Sequence, residues 1–195
     1  KSFLASNLAV SFADAGHRTL LIDADIRRGS LHRVLGMERK PGLLDFLGGR
    51  ASREEIVQKT KIKGVEFIGS GTRKNAGPEL LASAAMSQYL ISLRTAYGVI
   101  IIDCAPLGAG VDPLILGSLT GNLVLVVRTG VTDREFTMAK LESVSRLPIR
   151  VLGAVLNDVK TEGQYAYYSY LPGYATSEEG GDADDVGPKR LQRGG

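Results

Sequence analysis

Residues 20–28 of this chain read Leu-Leu-Ile-Asp-Ala-Asp-Ile-Arg-Arg, an apolar run that stops at two carboxylates and two guanidinium groups. A continuous apolar run of this kind is typical of a strand that is covered on both faces, as in a parallel sheet. In such sheets the functional groups gather at the edge where the strands end. The segment therefore predicts a buried strand that places Asp23 and Asp25 at a ligand-binding edge.

Short runs of β-branched or aliphatic residues recur along the chain and predict further strands. The five predicted strands are residues 19–22, 65–68, 98–102, 123–127 and 151–156. Because helical segments separate them, the connections are expected to be right-handed crossovers. The alternation predicts an α/β fold of three layers, with a mostly parallel central sheet between two layers of helices.

The spacing of apolar residues also predicts where helices lie. Leu4, Leu8 and Phe12 recur every four residues and indicate a helix that is under way from the first residue. A second helix is predicted over residues 78–95.

Two helix starts carry the spacing of a capping box, in which a hydroxyl and a carboxylate satisfy free backbone amides. Thr132 and Glu135 have this spacing at the start of a helix predicted over residues 132–146. Ser52 and Glu55 repeat it earlier in the chain.

Composition predicts one folded domain over residues 1–159 and a flexible tail over residues 160–195 that is rich in Gly, Tyr, Ser and acidic residues. The chain has 195 residues, 44% of them hydrophobic, and no apolar run near the roughly 20 residues of a membrane helix. Its one cysteine, Cys104, excludes an internal disulfide and favours a cytoplasmic location. A net charge of +3 is too small to indicate a nucleic-acid partner, and we expect none. His17 and His32 lack the spacing of a zinc site.

The chain opens on Lys1-Ser2 at the start of a helix, and such a pair comes directly after the glycines in the phosphate-binding loop G-x-x-x-x-G-K-[ST]. This pair indicates a phosphate-binding loop only in combination with the other motifs of the chain. A second apolar strand ends at Asp103. Three features are therefore expected at the same edge of the sheet: the Lys1-Ser2 pair, the strand end at Asp23 and Asp25, and the strand end at Asp103. For each aspartate taken alone, helix capping is the alternative role.

Each of these side chains has a task in a site that binds ATP and Mg²⁺. Lys1 would contact the β and γ phosphates, and the Ser2 hydroxyl would bind Mg²⁺, an ion that prefers oxygen ligands. Asp103 would hold the same ion, and Asp23 would complete the set of carboxylates. Asp25 is placed to orient an attacking hydroxyl or to accept its proton.

Two motifs resemble those of the bacterial tyrosine kinases of exopolysaccharide and capsule systems, a family within the deviant Walker group of P-loop ATPases. Residues 20–27 are similar to its second Walker motif, three apolar residues followed by D-x-D-x-R. Residues 100–106 are similar to its Walker B motif, three apolar residues followed by D-x-x-P. The resemblance implies a P-loop NTPase-like fold, here without its first strand and glycine loop, and an ATP-dependent protein tyrosine kinase activity. It also implies that Asn157 binds adenine.

The resemblance extends to further residues. Arg27 is expected to steady charge during phosphoryl transfer or to contact a neighbouring subunit. The family often has an aspartate at the position of Asp112, for which a role supporting the site and helix capping both stay open. Gly29 stands where the family more commonly has proline. Because the phosphate-binding loop precedes Lys1 in the family, we expect the chain as given to bind ATP weakly.

Five of the seven tyrosines fall within ten residues of the tail. They are Tyr165, Tyr167, Tyr168, Tyr170 and Tyr174. The family ends in such a cluster, and the resemblance implies that a neighbouring subunit phosphorylates it. The alternative is that this segment is a disordered tail that associates nonspecifically, or an unpaired β-strand at a sheet edge.

The family also implies partners and a cellular setting. The intact protein is expected to form a ring-like homo-oligomer and to work with a membrane polysaccharide co-polymerase or activator at the inner face of the plasma membrane. Two other functions stay open. One is a partition or septum-site-like ATPase, and the other is a scaffold that binds the co-polymerase without catalysis.

Overall fold

A computed structural model of the protein describes residues 1–73 and 77–159. The strands are β1 (Thr19–Asp23), β2 (Val57–Lys59), β3 (Val65–Ile68), β4 (Val99–Asp103), β5 (Asn122–Arg128) and β6 (Arg150–Asn157). The helices are α1 (Ser2–Asp14), α2 (Leu31–Leu35), α3 (Leu43–Leu47), α4 (Arg53–Ile56), α5 (Pro78–Leu81), α6 (Ala84–Leu93), α7 (Asp112–Thr120) and α8 (Arg134–Ser145). All five predicted strands are confirmed, with ends that shift by one residue at most.

Strand β1 is the central element of a four-stranded sheet of order β2-β3-β1-β4. It pairs in parallel with β3 and with β4. The short β2, which the sequence analysis did not predict, runs antiparallel at the edge. Every residue of β1 is buried, as its continuous apolar run predicts.

Alternate residues of β1 face the two helical layers, which confirms the three-layer prediction. Leu21 packs with Ala5 and Ala9 of α1 on one face. Leu20 and Ile22 pack on the other face, in the larger cluster to which α3, α5, α6 and α7 contribute. Ala5 and Ala9 are small, so the backbone of α1 can lie close to the sheet.

The last two strands form a sheet of their own. Strands β5 and β6 pair in parallel, and among the described residues neither is hydrogen-bonded to β4. The parallel pairing is as predicted, but the strands divide into two sheets instead of forming one continuous sheet. In the part of the chain that the structure describes, no strand pairs with the edge of β5 that faces away from β6.

The helix predicted over residues 78–95 is interrupted, so that prediction was wrong in its continuity. Helix α5 ends at Leu81 and α6 begins at Ala84. The cause is Ser83, whose hydroxyl accepts a hydrogen bond from the Met86 amide at 3.2 Å and caps a new helix. Its own proton goes to the Leu80 carbonyl at 2.7 Å.

The capping box predicted from Thr132 and Glu135 is not formed. Asp133 caps α8 instead, because its carboxylate accepts the Phe136 amide at 2.7 Å. The Thr132 hydroxyl turns away and accepts the Arg128 amide at 2.8 Å. A carboxylate is the better N-cap acceptor, since it is charged and faces the positive end of the helix dipole.

The other helix-start predictions are confirmed. Ser52 and Glu55 form a reciprocal capping box at the start of α4, with hydrogen bonds of 2.6 and 3.3 Å. Helix α1 covers the segment predicted from the apolar spacing. Among the described helices, none is long and apolar enough to cross a bilayer.

Candidate active site

The site begins where β1 and β4 end side by side. Asp23 and Asp103 are the last residues of these strands and are Cα partners in the parallel register. The chain continues the pairing by one step, because the Ala24 amide donates to the Asp103 carbonyl at 2.7 Å. The fold therefore brings the two predicted strand-end carboxylates to one edge of the sheet.

Helix α1 adds its first residues to this edge. The Ser2 hydroxyl donates a 2.5 Å hydrogen bond to Oδ2 of Asp103, across 101 positions of sequence. Burial raises the pKa of Asp103 above its ordinary value, while the Ser2 hydrogen bond and the positive charge of Lys1 act in the opposite direction. Lys1, Ser2 and Asp103 thus lie together, as the sequence analysis predicted.

Asp23 has no exposed surface. Its Oδ1 accepts the Asp25 amide and its Oδ2 accepts the Leu31 amide, each at 3.2 Å. Burial raises the pKa of Asp23 to about 6, and the nearby charges of Asp103 and Asp25 add to the effect. In this arrangement Asp23 organises the loop between β1 and α2; its predicted role as a metal ligand stays a prediction.

Asp25 is half-buried and lies on the loop that Asp23 organises. Its Oδ1 accepts two backbone amides, that of Arg27 at 3.2 Å and that of Arg28 at 2.7 Å. Within the described residues, Oδ2 of Asp25 accepts no hydrogen bond. One oxygen is therefore held by the backbone, and the other is left without a hydrogen-bond donor among the described residues.

Arg27 projects from the same loop toward the start of α7. Its Nε donates to Oδ2 of Asp112 at 3.0 Å, and its Nη2 lies 3.5 Å from Oδ1. The sequence analysis left two roles open for Asp112. The structure does not support helix capping, because the N-cap residue of α7 is Val111 and no side-chain cap is formed there.

A cavity lies beside Lys1. It has a volume of about 400 Å³ and is lined by Lys1, residues 104–108, the inner residues of β5 and the start of α8. Cys104 lies in its wall, and burial raises the pKa of its thiol to about 11, so this cysteine is not an activated nucleophile. In the part of the chain that the structure describes, no group of three or more His, Cys, Asp or Glu side chains could hold a metal ion.

Other predicted site residues lie elsewhere. Asn157 ends β6, in the second sheet, where its carbonyl accepts the Thr129 amide at 3.0 Å; its role toward adenine stays a prediction. The tyrosine cluster, Tyr165, Tyr167, Tyr168, Tyr170 and Tyr174, and the tail predicted over residues 160–195 lie outside the described residues.

One relationship escaped the sequence analysis. Gly29 packs so closely that a Cβ atom there would lie 2.6 Å from the Ser70 hydroxyl and 2.8 Å from Asp23 Oδ2. Ser70 follows β3 and accepts a hydrogen bond from Arg39 Nε at 3.1 Å. The one signal in the sequence was Gly29 itself, which follows two arginines where the motif of the bacterial tyrosine kinases more commonly has proline.

Comparison with known proteins decides the family. A family model described as an AAA domain matches residues 1–128. The tyrosine-protein kinase YwqD of Bacillus subtilis is 35% identical over 170 residues, which cover 86% of this chain and 72% of YwqD. The chain belongs to the bacterial tyrosine kinase family. The resemblance read from the two Walker-like motifs is thereby confirmed.

Two further similar proteins show the extent of the likeness, one in fold and one in length. The kinase domain of the Escherichia coli tyrosine kinase ETK superposes with a TM-score of 0.79 and 28% identity, over 83% of this chain and 63% of that one. The succinoglycan biosynthesis transport protein ExoP of Rhizobium meliloti is 33% identical over 171 residues, 85% of this chain and 22% of ExoP. The chain thus spans about a quarter of the length of its longer curated relatives.

Proposed function

We propose that this chain is the catalytic region of an ATP-dependent protein tyrosine kinase, which transfers the γ-phosphoryl group of ATP to tyrosine hydroxyls. The observation that carries the proposal is the Ser2–Asp103 hydrogen bond of 2.5 Å beside the Asp25 carboxylate. Membership of the bacterial tyrosine kinase family supports it.

The residues at the start of α1 fit a site for Mg²⁺ and the phosphates of ATP. Mg²⁺ takes oxygen ligands, binds through one or two protein groups and keeps several waters. The Ser2 hydroxyl and the Asp103 carboxylate supply such oxygens, and Lys1 supplies a positive charge to the β and γ phosphates. Asp23 is proposed as a further carboxylate of this set, and Asn157 as a contact to adenine. When bound, Mg²⁺ would neutralise charge on the phosphates.

Asp25 is the residue that fits the attacking hydroxyl. The oxygen of a substrate tyrosine attacks the γ-phosphorus, the bond to the β–γ bridging oxygen breaks, and the tyrosine proton passes to Oδ2 of Asp25. Oδ1 is held by two backbone amides, so the carboxylate is oriented before the substrate arrives. Arg27 carries a positive charge on the same loop and would steady the transferred phosphoryl group through its exposed part.

The substrates that we propose are the tail tyrosines of a neighbouring copy, within a ring-like homo-oligomer of the intact protein. The proposed partner is a membrane polysaccharide co-polymerase or activator, and the proposed place is the inner face of the plasma membrane. These points rest on the resemblance to kinases of exopolysaccharide and capsule systems. The name of the relative ExoP, a succinoglycan transport protein, points the same way. Phosphates on the tail would make it anionic and could loosen contacts to basic surfaces of a neighbour.

The test is to incubate the full-length protein with ATP labelled at the γ-phosphorus and to map the label. We expect label on the tail tyrosines. Asp25→Asn should lower the rate by about 10²- to 10⁴-fold, because the proton acceptor is lost, while nucleotide affinity stays close to that of the wild type. Glu142→Gln, an exposed carboxylate on α8, is the matched control and should keep full activity.

The other outcomes separate the rival functions. ATP turnover without tyrosine label would favour a partition or septum-site-like ATPase. Binding of a co-polymerase with neither turnover nor label would favour a scaffold. Either result would overturn the kinase proposal.

A further inference from the structure

The Asp112 side chain has no exposed surface, although it begins helix α7 near the rim of the site. A buried carboxylate is costly unless it is paired and hydrogen-bonded. Among the described residues, Arg27 supplies its hydrogen bonds, through Nε at 3.0 Å and Nη2 at 3.5 Å. The Arg27 side chain remains 48% exposed. The arginine therefore lies at the surface, and its guanidinium group reaches inward to the buried Asp112.

The loop that carries Asp112 is shaped around this arginine. Gly110 has a φ of +147°, a conformation that is in practice restricted to glycine. A Cβ atom at this position would lie 3.1 Å from Arg27 Nη2. The loop between β4 and α7 therefore passes close to the guanidinium because residue 110 has no side chain.

The backbone of Arg27 is tied to the site as firmly as its side chain is tied to Asp112. Its amide and that of Arg28 donate to Oδ1 of Asp25. A short chain of contacts therefore runs from Asp112 through the Arg27 guanidinium and backbone to the Asp25 carboxylate. It joins the loop after β1, which carries Asp25, to the loop after β4, which follows Asp103.

We propose that Asp112 is a positioning residue for phosphoryl transfer, acting through Arg27 to hold the Asp25 carboxylate in the orientation that leaves Oδ2 toward the substrate hydroxyl. The proposal rests on the kinase function proposed above and assigns a role within the same site. Asp112 touches neither ATP nor tyrosine in this role. Its loss should therefore reduce the rate at saturating ATP and leave nucleotide affinity unchanged.

The decisive variant is Asp112→Asn in the full-length protein, which keeps the size of the side chain and removes its charge. The control is Glu66→Gln, which makes the same change in another carboxylate that pairs with an arginine, Arg18 at 3.1 Å, at the opposite end of the sheet. We expect kcat for autophosphorylation to fall by about 10- to 100-fold in Asp112→Asn, with the dissociation constant of an ATP analogue within about twofold of the wild type. The control should change thermal stability but not kcat.

A second measurement does not depend on kinase activity. Hydrogen exchange at the Arg27 and Arg28 amides should become about tenfold faster in Asp112→Asn, because the loop that holds them loses its anchor. Exchange in α1, near Ser2, should stay unchanged.

A double-mutant cycle completes the test. If Arg27 and Asp112 act as one unit, the Arg27→Ala Asp112→Ala double variant should be no slower than the worse single variant. Unchanged exchange at the two amides, or a kcat that falls only in proportion to lost folded protein, would overturn the positioning role. An inactive wild type whose amides still respond to Asp112→Asn would overturn the kinase proposal and leave the structural linkage established.

Discussion

The hydroxyl of Ser2 and the carboxylate of Asp103 are 2.5 Å apart, although 101 positions of sequence separate them. The contact joins the first turn of α1 to the end of β4. It brings a hydroxyl and a carboxylate, two oxygen donors of the kind that Mg²⁺ prefers, to the same point beside Lys1.

The first prediction concerns this contact. Ser2→Ala should weaken the Mg²⁺-dependent binding of ATP to the full-length protein by about 10- to 100-fold, since one bond to a charged group is worth about 1.5–3 kcal/mol. Titration calorimetry with an ATP analogue, with and without Mg²⁺, measures the effect. Ser11→Ala is the matched control, because its hydroxyl bonds only within α1, to the Asn7 carbonyl. Equal affinity of Ser2→Ala and Ser11→Ala would contradict the role proposed for Ser2.

Much of this arrangement could be predicted from the sequence, because the buried strands have a simple and recognisable pattern. An apolar run that ends in a carboxylate identifies both β1 and β4, and parallel strands place such ends at one edge. The sequence predicted that these ends meet at one edge, whereas the register that sets Asp23 opposite Asp103 is known only from the structure.

Other features depend on contacts between distant segments and could not be read locally. The ion pair of Arg27 with Asp112 links two loops that lie 85 positions apart. The start of α8 was mispredicted for a local reason: the Thr132 hydroxyl accepts the amide of Arg128, four residues earlier, and Asp133 caps the helix instead. Propensity favours both residues as caps, so the capping-box spacing alone did not decide between them.

The second prediction concerns Gly29, which lies where the motif of the bacterial tyrosine kinases more commonly has proline. Gly29→Pro should lower kinase activity and stability, although it moves the motif toward the family pattern. Its Cβ would lie 2.8 Å from Asp23 Oδ2 and from the Asp25 carbonyl, and proline also lacks the amide that donates to that carbonyl at 2.6 Å. We expect a cost of about 1–3 kcal/mol from overpacking, measured as a lower melting midpoint together with a lower labelling rate.

Gly153→Ala is the control for this substitution. Gly153 lies in β6, and a Cβ atom there would meet nothing within 4 Å. Wild-type activity of Gly29→Pro would show that the loop relaxes without cost and that Asp23 does not need the present packing.

The third prediction concerns Gly42, which supports the segment next to the site. A Cβ atom at this position would lie 2.3 Å from the Gly69 carbonyl oxygen and 2.5 Å from the Gly71 amide nitrogen, both of them backbone atoms. Gly42→Ala must therefore break the hydrogen bond from the Leu43 amide to that carbonyl, which measures 2.8 Å. We expect a loss at or above the upper end of about 1–3 kcal/mol. Thermal unfolding of the full-length protein measures it, and a midpoint no lower than that of Gly153→Ala would contradict the close packing.

The fourth prediction is a pH dependence carried by Asp45. This buried carboxylate accepts hydrogen bonds from the Gly42 and Thr72 amides and from Arg50, at 3.0–3.1 Å. Burial alone would raise its pKa, but these bonds outweigh burial and hold the pKa of Asp45 below its ordinary value of 3.8. Because the folded-state pKa is depressed, the stabilisation is fully present above the unfolded-state pKa and is lost as the pH falls through the folded-state value.

Asp45→Asn isolates this contribution. At neutral pH it should lower the free energy of unfolding by about 1.5–3 kcal/mol, the value of hydrogen bonds to a charged group. The gap between wild type and variant should begin to narrow as the pH falls below about 3.8, where the unfolded chain binds the proton first. It should close only once the pH has fallen through the lower pKa of the folded-state carboxyl. Melting midpoints between pH 3 and 7 measure the gap, with Asp14→Asn, at the exposed end of α1, as the control. A gap that stays constant down to the lowest pH would mean that the charge of Asp45 contributes nothing and that its shape alone fills the turn between Gly42 and Thr72.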